Sequence, residues 1–472
     1  MTPFEPQMWT ISTLAKAIVK KEISPVEIIQ AYLERIQTYD KKINAFITVL
    51  PKQALTEARR AEKEILKGRY IGPMHGIPFA VKDLFFTKGI RNTCGSKILA
   101  DFVPKYDAAV IERLSSAGAI LLGKLNMHEF AFGTTSVNPH YGPVHNPWDR
   151  QRVSGGSSGG SAAALASSFA LLTLGTDTGG SIRIPSALCG ITGLKPTFGR
   201  ISRYGVYPLC WSLDHPGPMA KSVEDLALAM NVLAGHDPRD PATPQVPVPN
   251  YAQALAGDLE GVRLGVPTSY FFNRIDPEVW ATVKKAIEDF KQLGAKVESI
   301  SIPHLEEAAI AASIILFSEA AASLEKWHLT RSGDLGDDVR ARLNQGATIP
   351  ATLYLKAQRI RRRIQENFLA AFRKVDALIT PQLPITAPQI GQGSVSFGKA
   401  TEAVPAALTR LTRIYNLVGI PSLSICCGFS SSRMPIGLQI ASKPFCEETV
   451  LKVAHAYEIH TPWKNKRPLL EA

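Results

Sequence analysis

Val153–Pro185 reads VSGGSSGGSAAALASSFALLTLGTDTGGSIRIP, and glycine-serine clusters alternate in it with apolar runs. The first cluster carries Ser157 and Ser158, the second is Gly179-Gly180-Ser181. Between them, Ala162–Ser168 reads as a helix of small residues and Phe169–Leu174 as a buried strand. Helix and strand joined by glycine turns predict an α/β protein. Glycine lets backbone approach a reacting group, and converging N–H groups are what a developing oxyanion needs.

The same alternation extends outward. Ser24-Pro25 reads as an N-cap and N1 opening a helix, and Gln53–Leu66 is a second helix stopped by Gly68. Ile77–Val81 predicts a buried strand with Lys82 and Asp83 at its end. A helix at Asp107–Ala117 and a strand at Ala119–Leu122 follow. Residues 133–161 lack periodicity and read as a long irregular stretch. Ser222 caps a helix to Ala234. Five prolines between Pro238 and Pro249 predict a linker. Beyond it come a strand at Val262–Val266, a helix at Pro277–Leu293, a strand at Lys296–Ile300 and then mainly helices to about residue 374. Short strands return at Ala377–Thr380, Ser422–Cys426 and Ile436–Ile440, before a closing helix at Glu447–His460.

The chain has 472 residues, 45% hydrophobic and 20% charged, which is ordinary globular usage. The net charge of +12 is spread along the chain. Its densest run, Arg359, Arg361, Arg362 and Arg363, falls in a predicted helix and reads as a solvated face, so no nucleic-acid partner is expected. Six cysteines form no C-x-x-C pair, which argues against zinc and for free thiols in the cytoplasm. No apolar run has the length of a membrane helix, and the start lacks a signal-peptide pattern.

The glycine-serine clusters admit several readings. A Walker phosphate loop fails, because Ser161 and not lysine follows Gly160. Gly155-Gly156-Ser157-Ser158-Gly159 fits G-x-S-x-G, but a nucleophile elbow needs a buried strand before it. His145–Val153 carries Pro147, Trp148, Asp149 and two arginines instead. Flexible loops would suit one cluster better than two.

GGSSGGSAAALA followed by GTDTGGSIRIPSALCGITGLKPTFGRISRYG resembles the amidase signature family. His75-Gly76-Ile77-Pro78, Val81-Lys82-Asp83, Gly217-Pro218, Asn416 with Gly419-Ile420-Pro421, and Pro435-Ile436-Gly437-Leu438-Gln439 extend the resemblance over roughly residues 10–460. It implies one α/β domain over 1–472, with a mixed sheet of about eleven strands between helices. The signature core would cover about 70–235, a proline-rich connection 236–250, a peripheral helical part about 270–375, and a return to the core 376–465.

By the same resemblance, Ser181 is the nucleophile, Ser157 the bridging serine after a cis Gly156–Ser157 bond, and Lys82 the base. Lysine can be a base only when neutral, so Lys82 must be buried. Backbone N–H groups of Thr178, Gly179, Gly180 and Ser181 would hold the oxyanion. Phe132 and Gly133 would line the acyl pocket, and Asp177 and Arg183 would hold the loop. His128, His140 and His145 are expected to be structural. No metal or cofactor is implied. The expected partner is a small-molecule amide; a homodimer is left open.

The family contains general amidases and the A subunit of tRNA-dependent amidotransferase, which releases ammonia from glutamine for a partner protein. The subunit's members usually read Asp-Gln before Gly-Pro; here Asp214-His215-Pro216 precedes Gly217-Pro218. They usually carry aspartate seven positions before the asparagine; here Thr409 precedes Asn416. Arg361 does match the arginine expected for a glutamine carboxylate. On balance the sequence favours a stand-alone amidase. A catalytically silent scaffold, and an esterase using Ser157 with His455, are the readings from other classes.

Overall fold

Strands Pro78–Lys82 and Leu172–Asp177 lie side by side and parallel, with Val81 opposite Leu174. Every residue of both is buried, as expected of parallel strands covered on both faces. They belong to an eleven-stranded mixed sheet in the computed structural model, which describes residues 5–470. Across the sheet the strands are Phe46–Val49, Ile120–Leu125, Pro78–Lys82, Leu172–Asp177, His215–Ala220 and Thr192–Lys195, then Ser422–Phe429, Pro435–Ser442, Ala377–Pro381, Arg263–Pro267 and Lys296–Ile300. The first six come from the signature half of the chain. Among the described residues, the ladder that ties them to the rest joins Thr192–Lys195 to Ser422–Phe429, antiparallel, with Leu194 opposite Leu423.

Helices flank the sheet. Ser24 caps Pro25–Ile43 in a capping box with Glu27, and Ser222 caps Val223–Leu233, accepting from the Asp225 N–H. The small helix Gly159–Ala166 is wholly buried against Leu172–Asp177. Asp337–Ala347 and Ala351–Ala371 both pack on Leu305–Ser323. Among the described residues, no helix is long and apolar enough to cross a membrane.

The structure adds the strands Phe46–Val49, Thr192–Lys195 and His215–Ala220 to those the sequence predicts, and departs from that reading elsewhere. The strand expected at Phe169–Leu174 runs over Leu172–Asp177, because its antiparallel ladder with His215–Ala220 extends from Leu172–Ala220 to Asp177–His215. Residues 133–161 hold two small ribbons, Val137–Asn138 with Gly142–Pro143 and His145–Asn146 with Asp149–Val153. The proline-rich stretch lacks helix and strand but is tied down: Asp237, Asp240 and Thr243 are buried, and Arg200 donates to the carbonyls of Val246 and Pro247 at 3.4 and 3.0 Å. The basic turn is not uniformly solvated. Arg362 pairs with Glu366 at 2.9 Å, whereas Arg361 turns inward.

Candidate active site

Parallel neighbouring strands end at the same edge of a sheet, and such edges are where α/β proteins place their chemistry. Lys82 closes one strand, and Thr176 and Asp177 close the next. The Lys82 Nζ therefore reaches Thr176 Oγ1 at 2.8 Å and Ser157 Oγ at 2.7 Å. Lys82 and Ser157 are both fully buried. Burial pulls the Lys82 ammonium down to about 7, while Asp214 and Asp177 push it up.

Ser157 follows a cis bond from Gly156, as the resemblance implied. Its carbonyl accepts from the His128 N–H at 3.1 Å, and the next residue's N–H donates to the Ser181 carbonyl at 3.2 Å. The two glycine-serine clusters thus lie against each other. Ser181 is slightly exposed and borders a cavity of about 400 Å³; Ser157 stands behind it and does not line it.

Asp177 folds the second cluster. Its Oδ1 accepts from the Gly180 N–H and its Oδ2 from the Ile182 N–H, at 2.8 and 3.1 Å. Arg183 donates to both oxygens, to Gln439 Oε1 at 2.6 Å and to Asn416 Oδ1 at 2.8 Å. Burial alone would raise the Asp177 pKa, but Arg183 holds it well below the usual carboxylate range. Asn416 closes the network by donating to the Asp177 carbonyl at 2.8 Å. Gly180 has φ +130°, and a Cβ there would overlap Thr412 Oγ1. That hydroxyl donates to the Gly179 carbonyl at 2.5 Å.

One expectation for this loop needs correction. The Gly180 N–H is spent on Asp177 and does not face the cavity, so it is no oxyanion donor in this arrangement. Thr178, Gly179 and Ser181 do border the cavity. Thr178 is held in turn by Asp214, whose Oδ1 accepts from its hydroxyl at 2.6 Å.

The opposite wall comes from remote elements. Phe132 and Gly133 line the cavity. Gly133 lies so close to His128 that a Cβ would run into the imidazole ring. Leu316 and Phe317 of Leu305–Ser323 add apolar surface, and Arg342, Thr409 and Arg413 add polar groups. Arg361 is absent from this lining. It donates to the carbonyls of Leu417 and Ser212 at 2.8 and 3.0 Å, which removes it as a direct ligand for a substrate carboxylate here. Thr176, Thr412, Arg342 and Arg413 were not singled out from the sequence. Only the short spacing of Thr412 and Arg413 from Asn416 could have pointed to two of them.

The histidines have other partners. His128 contacts Asp338 at 2.8 Å, His140 contacts Glu129 at 2.9 Å, and His145 Nδ1 meets the Arg150 carbonyl at 2.7 Å. His455 sits on the closing helix, where Glu224 is its nearest acidic influence, and it is not among the cavity residues. The strand before Ser157, Asp149–Val153, belongs to a separate two-stranded ribbon and not to the core sheet, so an elbow has no support. Among the described residues, no group of three His, Cys, Asp or Glu side chains is placed to hold a metal ion.

The model of the family described as Amidase matches residues 27–451. The A subunit of the glutamyl-tRNA(Gln) amidotransferase of Geobacter metallireducens is 42% identical over 97% of this chain and 98% of its own length. That of Chloroflexus aggregans is 43% identical over the same shares. Among solved structures, a vestigial protein complex bearing on the origins of an s-triazine catabolic enzyme holds a chain 36% identical, with TM-score 0.92 over 98% of this chain and 100% of that one. The amidotransferase A subunit of Thermotoga maritima is 32% identical, with TM-score 0.83 over 100% of both chains. A bacterial aryl acylamidase is 27% identical, with TM-score 0.89 over 98% of this chain and 99% of that one. The chain therefore belongs to the amidase family, hydrolases of amide C–N bonds, and its eleven-stranded α/β body is a single amidase-signature domain.

Proposed function

We propose that this chain hydrolyses a small carboxamide through a Ser181 acyl-enzyme, releases ammonia, and works as the catalytic subunit of an assembly. The observation that carries the chemistry is the buried 2.7 Å contact of Lys82 Nζ with Ser157 Oγ, behind a cavity bordered by Ser181. Neutral Lys82 takes the Ser157 proton while Ser157 takes that of Ser181. Ser181 Oγ bonds the amide carbon, and backbone N–H groups among Thr178, Gly179 and Ser181 hold the oxyanion. The C–N bond breaks as the proton returns through Ser157 to the leaving nitrogen. Water then attacks the acyl ester and releases the acid.

Partnership is supported by the relatives named as A subunits and by the neighbour described within a protein complex. These favour the glutamine-hydrolysing A-subunit reading over the stand-alone amidase that the sequence favoured. The tRNA-linked name of the relatives and the free cysteines support a cytoplasmic setting. A second reading keeps the role in an assembly but changes the substrate. It is favoured by Thr409 and by the absence of any carboxylate among the described cavity residues to receive the α-ammonium of glutamine.

Peptide mapping after fluorophosphonate treatment tests the chemistry, with Ser181→Ala as control. An adduct on Ser181, slowed by Lys82→Ala, is expected; an adduct on Ser157 would sink the assignment. Ammonia release with and without co-purified partner chains tests the role in an assembly. Full activity of the isolated chain would return it to a stand-alone amidase.

A further inference from the structure

Arg413 opens the helix Arg413–Val418, is half-buried and lines the cavity. It stands beside the reacting groups. A Cβ on Gly179 would be 4.0 Å from the Arg413 Cβ, and Gly179, Ser181 and Arg413 border the same space. Its Nε donates to the Thr409 carbonyl at 3.3 Å, and its Nη1 donates to the Ser313 hydroxyl. Both acceptors are neutral. A guanidinium has five N–H donors, so most of this one is left for something else.

Among the described residues, no carboxylate lies within ion-pair distance of Arg413. Glu402, the nearest acidic influence, is bound to Arg410 at 3.3 Å. The cavity's other arginine differs. Arg342 is neutralised by Asp338 at 2.7 Å and also donates to the Phe132 carbonyl at 2.6 Å. A half-buried charge without a counter-charge carries a desolvation cost. A site that keeps one, aimed into a substrate cavity, is suited to an anion that arrives with the ligand. A carboxylate matches the planar fork of the guanidinium.

We propose that Arg413 binds a carboxylate of the substrate, so that this enzyme's substrate is a small amide bearing an anion and no ammonium group. The inference rests on the Ser181 amidase reading and takes the second of its two substrate readings, against glutamine. Glutamine has the carboxylate but also an α-ammonium, which would enter beside Arg413 with no acidic side chain in the described lining to meet it. Thr409 cannot serve as one, and its hydroxyl donates to the Pro405 carbonyl at 2.8 Å.

Ammonia release by the full chain, in its native assembly, is compared for succinamate, glutaramate, butyramide and glutamine. The anionic amides are expected to exceed the other two by at least ~10-fold in kcat/KM, the size of effect a charge-assisted contact supplies. Arg413→Gln should collapse the succinamate-to-butyramide ratio by at least ~10-fold, mainly through KM, and Arg413→Lys should restore part of it. Preference for butyramide or glutamine, or a ratio unmoved by Arg413→Gln, overturns the proposal. Should the variant fail to fold, succinate protection of wild-type Ser181 from fluorophosphonate decides. Protection by succinate but not by butyramide supports the proposal, and equal or no protection overturns it. If Ser181 takes no label, the Ser181 reading fails separately, and a thermal shift with succinate that butyramide lacks still reports on Arg413.

Discussion

The Lys82 Nζ stands 2.7 Å from the Ser157 Oγ, and neither side chain meets solvent. A lysine there has little reason to stay charged, since burial outweighs the pull of Asp214 and Asp177 and brings it to about 7. In the proposed mechanism the unprotonated form of Lys82 is the base. The acylation rate should therefore rise with pH, reach half its maximum at about 7 and level off above. A pH profile of kcat/KM checks this; a flat profile between about pH 6 and 8 would contradict it. Lys82→Ala should lower the plateau by about 10²–10⁴-fold. Lys82→Arg should be as inactive, because arginine does not give up its proton in that range.

Gly180→Ala should cost catalysis more than folding. The added methyl would collide with Thr412 Oγ1, which ties the loop through the Gly179 carbonyl. Displacing the backbone around Gly179 and Ser181 should lower kcat by about 10²-fold or more, the effect of misplacing one oxyanion donor. Steady-state kinetics beside a melting curve separate the two. A large loss of Tm with unchanged kcat would count against this role.

Asp177→Asn should destabilise the fold by about 3–5 kcal/mol, because it strips the partner from a fully buried arginine. Urea unfolding measures it. The pH dependence has a definite sign. Arg183 keeps the Asp177 pKa below its unfolded value, so its contribution is present above about pH 4 and is lost as pH falls through the lowered value. Asp177→Asn should remove that acid-side slope.

Glu458 behaves oppositely. Burial raises its carboxyl to about 8, and both oxygens accept from the Val223 N–H, at 3.0 and 3.2 Å. The folded chain holds this proton over a range where the unfolded chain, at about 4.3, has lost it. Its stabilising contribution is thus full below about 4.3 and disappears as pH rises through about 8. Glu458→Gln should lose less Tm than wild type between about pH 5 and 8.5.

Much of this was legible beforehand. Lys82 stands in Val81-Lys82-Asp83 and Ser157 and Ser181 in the two glycine-serine clusters, and local pattern places each at a strand or helix end. The strand boundary at Leu172 was misread because Phe169–Leu171 are as apolar and buried as the strand itself. The ladders with His215–Ala220 and Pro78–Lys82, both starting at Leu172, distinguish them. Gly180 looked like an oxyanion donor because sequence shows that an N–H exists, not which acceptor has already taken it. Arg413 and Arg361 could not be sorted at all. Both are arginines on helices, and their fates depend on whether a neighbour's carbonyl or an open cavity lies at the end of the side chain.

Arg183 has a consequence for how the enzyme comes off the ribosome. Lys82, Ser157 and Ser181 are all made before the midpoint of the chain, but the loop that aims Ser181 is held by an arginine whose outer partners are Asn416 and Gln439. The sheet itself crosses to that late region through Thr192–Lys195 and Ser422–Phe429. A nascent chain, or a message broken ahead of the Asn416 codon, would carry every reacting group and still lack their scaffold. A chain ended ahead of Asn416 is expected to hold Lys82, Ser157 and Ser181 yet lack the Asn416 and Gln439 contacts of Arg183, and so to show no amide hydrolysis.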